Sequence, residues 1–303
     1  MKRNIIQLAS STLVVSLPVQ WVREFGIKKG DEVFLELSEG NIIIRLSKDK
    51  KINAVTLDVN GYGRFILRLI ICLYTSGYDH ITLRYKNISD LRLIEKVLKD
   101  SIGYEIIEQG KSYCVIKIIT TELEDEFTNT LRRLFLVTKN VIDSTGVYLK
   151  TNDYRGLKSI PDLEITINRL TNFSLRMILK NKNLKDKTPF LYSAVNALEK
   201  TADEYKFLVY HIIDSKDSLS KDALLFYDQV NLYYNQVYDL FYNFDLDKCA
   251  KNFCMAEELL DKYLLLRKRN HSDVIALSYL RNVILNITDI IYESVNINFK
   301  SFQ

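Results

Sequence analysis

The chain opens with four short segments rich in β-forming residues and separated by turns. They cover residues 3–8, 12–17, 32–37 and 41–46. One helical turn is expected between the second and third segments. Pro18 suits its first position, because the missing N–H would have no partner there, and Gly26 ends it. A unit of about 46 residues buries only a small core, so we expect it to need oligomerisation or another staple.

The second region, residues 52–118, alternates strand-like and helix-like segments. They follow the chain at residues 53–59, 64–76, 80–85, 90–99, 104–108 and 113–119. This β-α-β-α-β-β order predicts a small α/β middle domain. Gly61 and Gly63 follow a strand, as in a dinucleotide-binding loop, but Ile66 stands where the third glycine would be. A plain turn is therefore the favoured interpretation.

From residue 119 onward, apolar residues recur at helical spacing. These 185 residues contain only two glycines and two prolines, which excludes a many-turned β fold. We expect about six helices, with boundaries near residues 146–162, 181–189, 215–220, 243–247 and 269–272. The pattern predicts a multidomain α+β protein, with domains at residues 1–51, 52–118 and 119–303.

The charge distribution singles out the first region. The whole chain carries a formal net charge of +4, whereas residues 1–51 alone hold nine Lys or Arg against six Asp or Glu. This excess hints at an anionic partner for that region. The sequence contains three histidines and no P-loop, zinc-helix or nucleophile-elbow motif, so we do not expect an enzyme.

Targeting signals are not evident in the sequence. The polar residues 10–12 interrupt any apolar core near the start, and the apolar run Phe65–Tyr74 is too short to span a bilayer. The four cysteines are too sparse for a disulfide framework. A cytoplasmic protein without membrane insertion is the expectation.

Three motifs in the first region occur in a specific order. The run STLVVSLP covers residues 11–18, Trp21 follows, and GIKKGDEV covers residues 26–33. With these motifs, residues 1–47 resemble the AbrB/SpoVT (swapped-hairpin) family. The resemblance implies a β-barrel made by two interleaved chains, whose basic residues face double-stranded DNA. The candidate DNA-binding residues are then Lys2, Arg3, Ser10, Ser11, Thr12 and Arg23. The alternative is a solvated edge on a module that only dimerises.

Acidic residues recur four positions apart on the expected helices. Carboxylates at this spacing share one helix face and can converge on one cation or one basic partner. The spacing occurs at Glu199 and Asp203 and again at Glu257 and Asp261, and Glu164 with Asn168 is a near-pair. The plain alternative is that these are ordinary solvated carboxylates on a helix face.

The segment LEKTAD at residues 198–203 and the helix containing Arg169 and Leu170 resemble the PhoU family, over residues 119–299. The resemblance implies an all-α pair of three-helix bundles. It also implies iron or zinc clusters on the bundle surface. The first would use Glu164, Asn168, Glu199 and Asp203, and the second Glu257 and Asp261. The second set departs from the family, because Arg281 and Leu285 stand where the partner pair should be.

An AbrB-like part followed by a PhoU-like part is an arrangement known among archaeal phosphate-uptake regulators. The resemblance implies a regulator of phosphate uptake that binds DNA as a homodimer or higher homo-oligomer and senses a metal or protein signal. An adaptor is the alternative. It would dimerise without binding DNA and would dock on a phosphate transporter or sensor-kinase component. A metal store or metal sensor is a third possibility.

Overall fold

The computed structural model describes residues 2–9, 11–38, 40–46, 53–120, 126–269 and 273–298. These residues form two compact units, one within residues 1–52 and one within residues 53–303. Each unit is described separately below.

The first unit consists of two hairpins and one short helix. Its elements are β1 (Ile6–Ala9), β2 (Thr12–Val14), α1 (Val19–Glu24), β3 (Phe34–Ser38) and β4 (Asn41–Arg45). β1 pairs antiparallel with β2, and β3 pairs antiparallel with β4. The described strands of the two hairpins do not pair with each other, so the predicted closed barrel is absent from this single chain.

The first unit has no buried residue among those that the structure describes. Its apolar side chains are instead open to solvent: Leu8 is 73% exposed, Leu35 is 63%, Leu37 is 80% and Ile42 is 64%. Leu35, Leu37 and Ile42 share one face of the second hairpin, because Leu37 pairs with Ile42, and an exposed apolar face marks an interaction site. The hairpins therefore have an apolar face that one chain leaves uncovered.

The second unit begins with a four-stranded sheet and two helices. In chain order these are β5 (Ala54–Asp58), α2 (Phe65–Thr75), β6 (His80–Arg84), α3 (Ile88–Leu98), β7 (Tyr104–Gln109) and β8 (Tyr113–Ile118). The strand order is β5-β6-β8-β7, and only β5 and β6 are parallel. Alternate residues of β6, Ile81 and Leu83, are fully buried in a core with α2 and α3. The observed elements follow the predicted β-α-β-α-β-β order.

The turn after β5 explains the two glycines that the sequence places there. Gly61 and Gly63 have φ angles of 80° and 52°, a region that glycine adopts without the steric cost of a side chain. The carboxylate of Asp58 accepts a hydrogen bond from the backbone N–H of Asn60 at 2.9 Å and tightens the same turn. The glycines serve the backbone geometry of a turn.

The rest of the second unit is all-helical, as predicted. Its elements are α4 (Glu126–Thr151), the short α5 (Tyr154–Leu157), α6 (Ile160–Lys180), a 3-10 segment (Lys182–Lys187), α7 (Thr188–Ser215), α8 (Lys221–Tyr242), α9 (Leu246–Arg269) and α10 (Val274–Asn298). α4, α6 and α7 pack on one another, and so do α8, α9 and α10. The two groups share one continuous core, because α7 packs along α10.

Two tyrosines of α8 pack against α4 and donate to its backbone. Tyr227 donates to the carbonyl of Ile142 at 2.5 Å, and Tyr234 donates to the carbonyl of Phe135 at 2.7 Å. Gly146 lets α4 approach this ring closely, since a Cβ atom there would lie 2.7 Å from Cε1 of Tyr227. These two hydrogen bonds satisfy the hydroxyls of Tyr227 and Tyr234 and hold α8 against α4.

Among the described residues, one helix is long and apolar enough to cross a bilayer, namely α10. The sequence pattern drew attention to Phe65–Tyr74 instead, and α10 was missed. Half of its apolar window is buried within the protein, and ten of its residues are buried against neighbouring helices. A core helix passes the same test of length and composition, so this feature is weak evidence for a membrane span.

Candidate functional site

The predicted DNA-binding residues lie at one end of the first hairpin and on α1. Lys2 and Arg3 are exposed and precede β1, although the sequence pattern placed them on that strand. The ladder begins only at Ile6, which pairs with Val14, because β2 is three residues long. Residues 2–5 therefore have no ladder partner among the described residues of one chain.

The other predicted contacts are also open to solvent where the structure describes them. Ser11 lies in the turn, Thr12 begins β2, and Arg23 lies in the last turn of α1. Ser10 falls outside the described residues. Guanidinium and ammonium groups neutralise DNA phosphates, and hydroxyls can donate to phosphate oxygens. The chemistry of these side chains suits a nucleic-acid backbone.

A buried arginine joins the α/β layer to the helices in the second unit. Arg176 of α6 is fully buried, and its Nη1 donates to the carbonyls of Tyr74 at 3.0 Å and Tyr78 at 2.7 Å. Its Nη2 donates to Oδ1 of Asp79 at 2.5 Å. The guanidinium carbon lies 5.2 Å from the ring centre of Tyr74 and 5.6 Å from that of Tyr104. We call this set the arginine joint.

The carboxylate of Asp79 is held in its charged form within the arginine joint. Burial opposes ionisation, but the hydrogen bond and charge of Lys180 and the charge of Arg176 lower the pKa of Asp79 below its usual range. Lys180 forms an ion pair with the same oxygen. The joint therefore combines one half-buried carboxylate with two cations from α6.

A polar cavity of about 470 Å³ lies between α2 and α3 on one side and α6 and α7 on the other. We call it the interlayer pocket. Its α/β wall carries Arg64, Leu67, Arg68, Ile71, Lys96, Val97 and Asp100, and its helical wall carries Glu164, Asn168, Thr171, Asn172, Glu199, Asp203 and Lys206. The structure thus brings all four residues of the first predicted metal set into one cavity.

Within that set, a lysine occupies the space between two carboxylates. Lys206 donates to Glu164 at 2.9 Å and forms an ion pair with Asp203. Burial lowers the pKa of Lys206, but the hydrogen bonds to Asp203 and Glu164 outweigh burial and raise the pKa above its usual value. Asn168 donates its amide N–H to the same Glu164 oxygen at 2.6 Å. In the part of the chain that the structure describes, no group of three or more His, Cys, Asp or Glu is placed to hold a metal ion.

Glu199 differs from the two carboxylates paired with Lys206. Burial, with the charges of Asp203 and Glu164, raises the pKa of Glu199. No described residue forms a hydrogen bond or ion pair with its carboxylate. Arg68 lies on the opposite wall, close enough for its charge to act on Glu199 but without a direct ion pair.

The second predicted metal set lies on the solvent-facing side of one helix. Glu257 and Asp261 are exposed on α9. Arg281 donates to the side chain of its neighbour Asn282 at 3.3 Å.

Sequence reasoning missed the arginine joint and the basic wall of the interlayer pocket. Arg176 contacts residues about 100 positions earlier, so no local spacing indicates it. Lys206 had a local signal, because it lies three positions after Asp203 on one helix face. Its second partner, Glu164, comes from a different helix and could be found only in the folded structure.

The comparisons with known proteins bear on the first unit. Residues 6–52 match the family described as "Antidote-toxin recognition MazE, bacterial antitoxin". A comparison with curated proteins found no significant match. The N-terminal part of the chain is therefore similar to MazE/AbrB-type domains, in agreement with the resemblance on its motifs.

Proposed function

We propose that the chain is a DNA-binding regulator that acts as a homodimer through residues 1–52. The observation that carries the proposal is the first unit itself. It matches a MazE/AbrB-type domain, leaves its apolar side chains uncovered, and presents Lys2, Arg3 and Arg23 to solvent.

A second copy of the chain would supply the hydrophobic core that the first unit lacks. No described residue of the first unit is buried, and a unit of this size needs a partner or a staple. Hairpins from a second chain would cover the apolar face of Leu35, Leu37 and Ile42. The pair of chains would then carry two sets of basic residues, which suits a two-fold symmetric DNA site.

The regulated process proposed here is phosphate uptake, and its support is the PhoU resemblance together with the order of the two parts. The helical region would then carry the signal, either by a metal or by contact with a transporter or sensor-kinase component. Iron or zinc at Glu164, Asn168, Glu199 and Asp203 stays a prediction. It would have to displace the ammonium of Lys206.

An adaptor that dimerises without binding DNA is the second candidate. The modest net charge of residues 1–51 favours it, because nine basic residues are offset by six acidic ones. The matched family's description also names toxin recognition, so a protein partner is a reasonable ligand for a MazE-like part. DNA affinity separates the two candidates.

The proposal is tested by fluorescence anisotropy of the full chain with DNA from upstream of its own gene and of phosphate-transport genes. Labelled duplex is titrated at three salt concentrations against a scrambled competitor. We expect preference for an upstream site on the order of several hundred-fold. If the chain binds every duplex weakly and added salt abolishes that binding, the result would favour the adaptor that does not bind DNA.

We expect Arg3→Ala to weaken DNA binding and to lower the salt slope by about one unit, because the variant neutralises one DNA phosphate fewer. The same anisotropy titration measures it. Arg155→Ala is the matched control, because Arg155 is exposed but lies in the second unit. A salt slope that is the same in Arg3→Ala and Arg155→Ala would remove Arg3 from the interface.

A further inference from the structure

The facing walls of the interlayer pocket carry charged side chains of both signs that have no hydrogen-bond or ion-pair partner among the described residues. On the helical wall, the carboxylate of Glu199 lacks a hydrogen-bonding or ion-pairing partner among the described residues. On the α/β wall, the same is true of the cations of Arg64, Arg68 and Lys96. The three cations are exposed, whereas Glu199 is half-buried, and a half-buried charge without a partner is costly. A cavity with groups of both signs on facing walls therefore favours a ligand that complements them.

The other polar residues that line the pocket differ in whether they have hydrogen-bond or ion-pair partners within the protein. Glu164 and Asp203 are engaged by Lys206, and Asn168 is engaged by Glu164. Thr171 is only 4% exposed, and its hydroxyl has no hydrogen-bond partner in the described chain. A buried hydroxyl in a cavity wall is a ready donor or acceptor for a bound molecule.

Charge and size define what fits. Among the lining groups that Lys206 does not engage, three cations (Arg64, Arg68 and Lys96) outnumber two carboxylates (Glu199 and Asp100) by one, which suits a ligand of net negative charge that also carries one cationic group. A volume of about 470 Å³ lies within the range of small-molecule sites. Leu67, Ile71 and Val97 supply apolar surface for the carbon skeleton.

We propose that the interlayer pocket binds a small zwitterion with two acidic groups and one ammonium, of the class of dicarboxylic or phosphorylated amino acids. The acidic groups lie against Arg64, Arg68 and Lys96, and the ammonium donates to Glu199. The pocket is lined from α2, α3, α6 and α7, so the ligand contacts the α/β layer and the helices at once. This makes it an effector site distinct from the DNA-binding residues.

Isothermal titration calorimetry on the full chain tests the proposal with L-glutamate, L-aspartate and O-phospho-L-serine as probes. Glutarate lacks only the ammonium of L-glutamate, and inorganic phosphate is the simple anion. We expect at least one zwitterion to bind and glutarate and phosphate to bind about tenfold more weakly. If no zwitterion binds at millimolar concentration, or if phosphate binds as well as they do, the proposal is wrong.

Two variants assign the ends of the ligand. Glu199→Gln should weaken binding of the zwitterion about tenfold while leaving glutarate unchanged, because the variant removes only the partner of the ammonium. Arg68→Ala should weaken both, and since Arg68 is exposed this variant keeps the test valid if Glu199→Gln fails to fold. Glu258→Gln and Arg92→Ala, both exposed and outside the pocket, are the controls. Equal weakening of zwitterion and glutarate binding in Glu199→Gln would contradict the assigned orientation.

Discussion

Arg176→Met is expected to lower the free energy of unfolding of the second unit by about 3 to 5 kcal/mol. The substitution leaves the carbonyls of Tyr74 and Tyr78 without this donor and removes one of the two cations on Asp79. Removing one member of a buried charged set is costly because the others stay desolvated. Urea unfolding followed by circular dichroism measures the change as a lower midpoint.

Arg155→Met is the matched control for the arginine joint. Arg155 is exposed, and we expect its substitution to change the free energy of unfolding by no more than about 0.5 kcal/mol. Adding Asp79→Leu to Arg176→Met should cost less than the sum of the two single changes, because the two residues belong to one contact network. Equal midpoints for Arg176→Met and Arg155→Met would show that the joint does not hold the α/β layer to the helices.

Leu35→Lys is expected to abolish the dimer and to raise the dissociation constant for specific DNA on the order of 100-fold. In the single chain Leu35 is 63% exposed, opposite Ile44 on β4. In the proposed pair of chains it is covered by the second copy, and a lysine there would place a charge in an apolar contact. Sedimentation equilibrium measures the dimer, and anisotropy measures the DNA affinity.

Leu265→Lys makes this comparison sharp. Leu265 is 58% exposed on α9, so the two leucines are nearly equal in exposure in the single chain. A side chain that stays solvent-exposed tolerates such a change with little effect. We therefore expect Leu265→Lys to leave both the dimer and DNA binding unchanged. If Leu35→Lys also had no effect, the apolar face of the hairpins would not be a dimer interface.

The elements of the fold were largely predictable, because their signals are local. Ile81 and Leu83 alternate along β6 and mark its buried face. The scarcity of glycine and proline after residue 119 indicated long helices. The closed barrel is absent from the described residues of one chain, and in the proposed dimer a second chain would supply its remaining strands. The apolar pattern of residues 1–46 therefore indicates a contact between chains, which one chain does not form.

The candidate sites were predictable only in part, for the same physical reason. The spacing of Glu199 and Asp203 predicted that they share one helix face, the PhoU resemblance grouped Glu164 and Asn168 with them, and all four line one cavity. The spacing carried no information on Arg68, which reaches the same cavity from the α/β layer. Polar side chains whose partners lie far along the chain produce no periodic pattern in the sequence, whereas the apolar face of a helix or strand does.

The interlayer pocket and the arginine joint share α6. Thr171 and Asn172 line the pocket, and Arg176 follows about one turn later. Asn172 also donates to the carbonyl of Asp100 at 3.3 Å. A ligand in the pocket would therefore bind next to the contacts that fasten the α/β layer to the helices.

The most direct test of the central proposal is the mass of the full chain in solution by light scattering, alone and with one equivalent of an upstream duplex. We predict a particle of twice the 35.4 kDa of one chain. With duplex, the mass should rise by that of one DNA molecule per two chains. A particle of 35.4 kDa that binds no duplex would contradict both the dimer and the DNA-binding function.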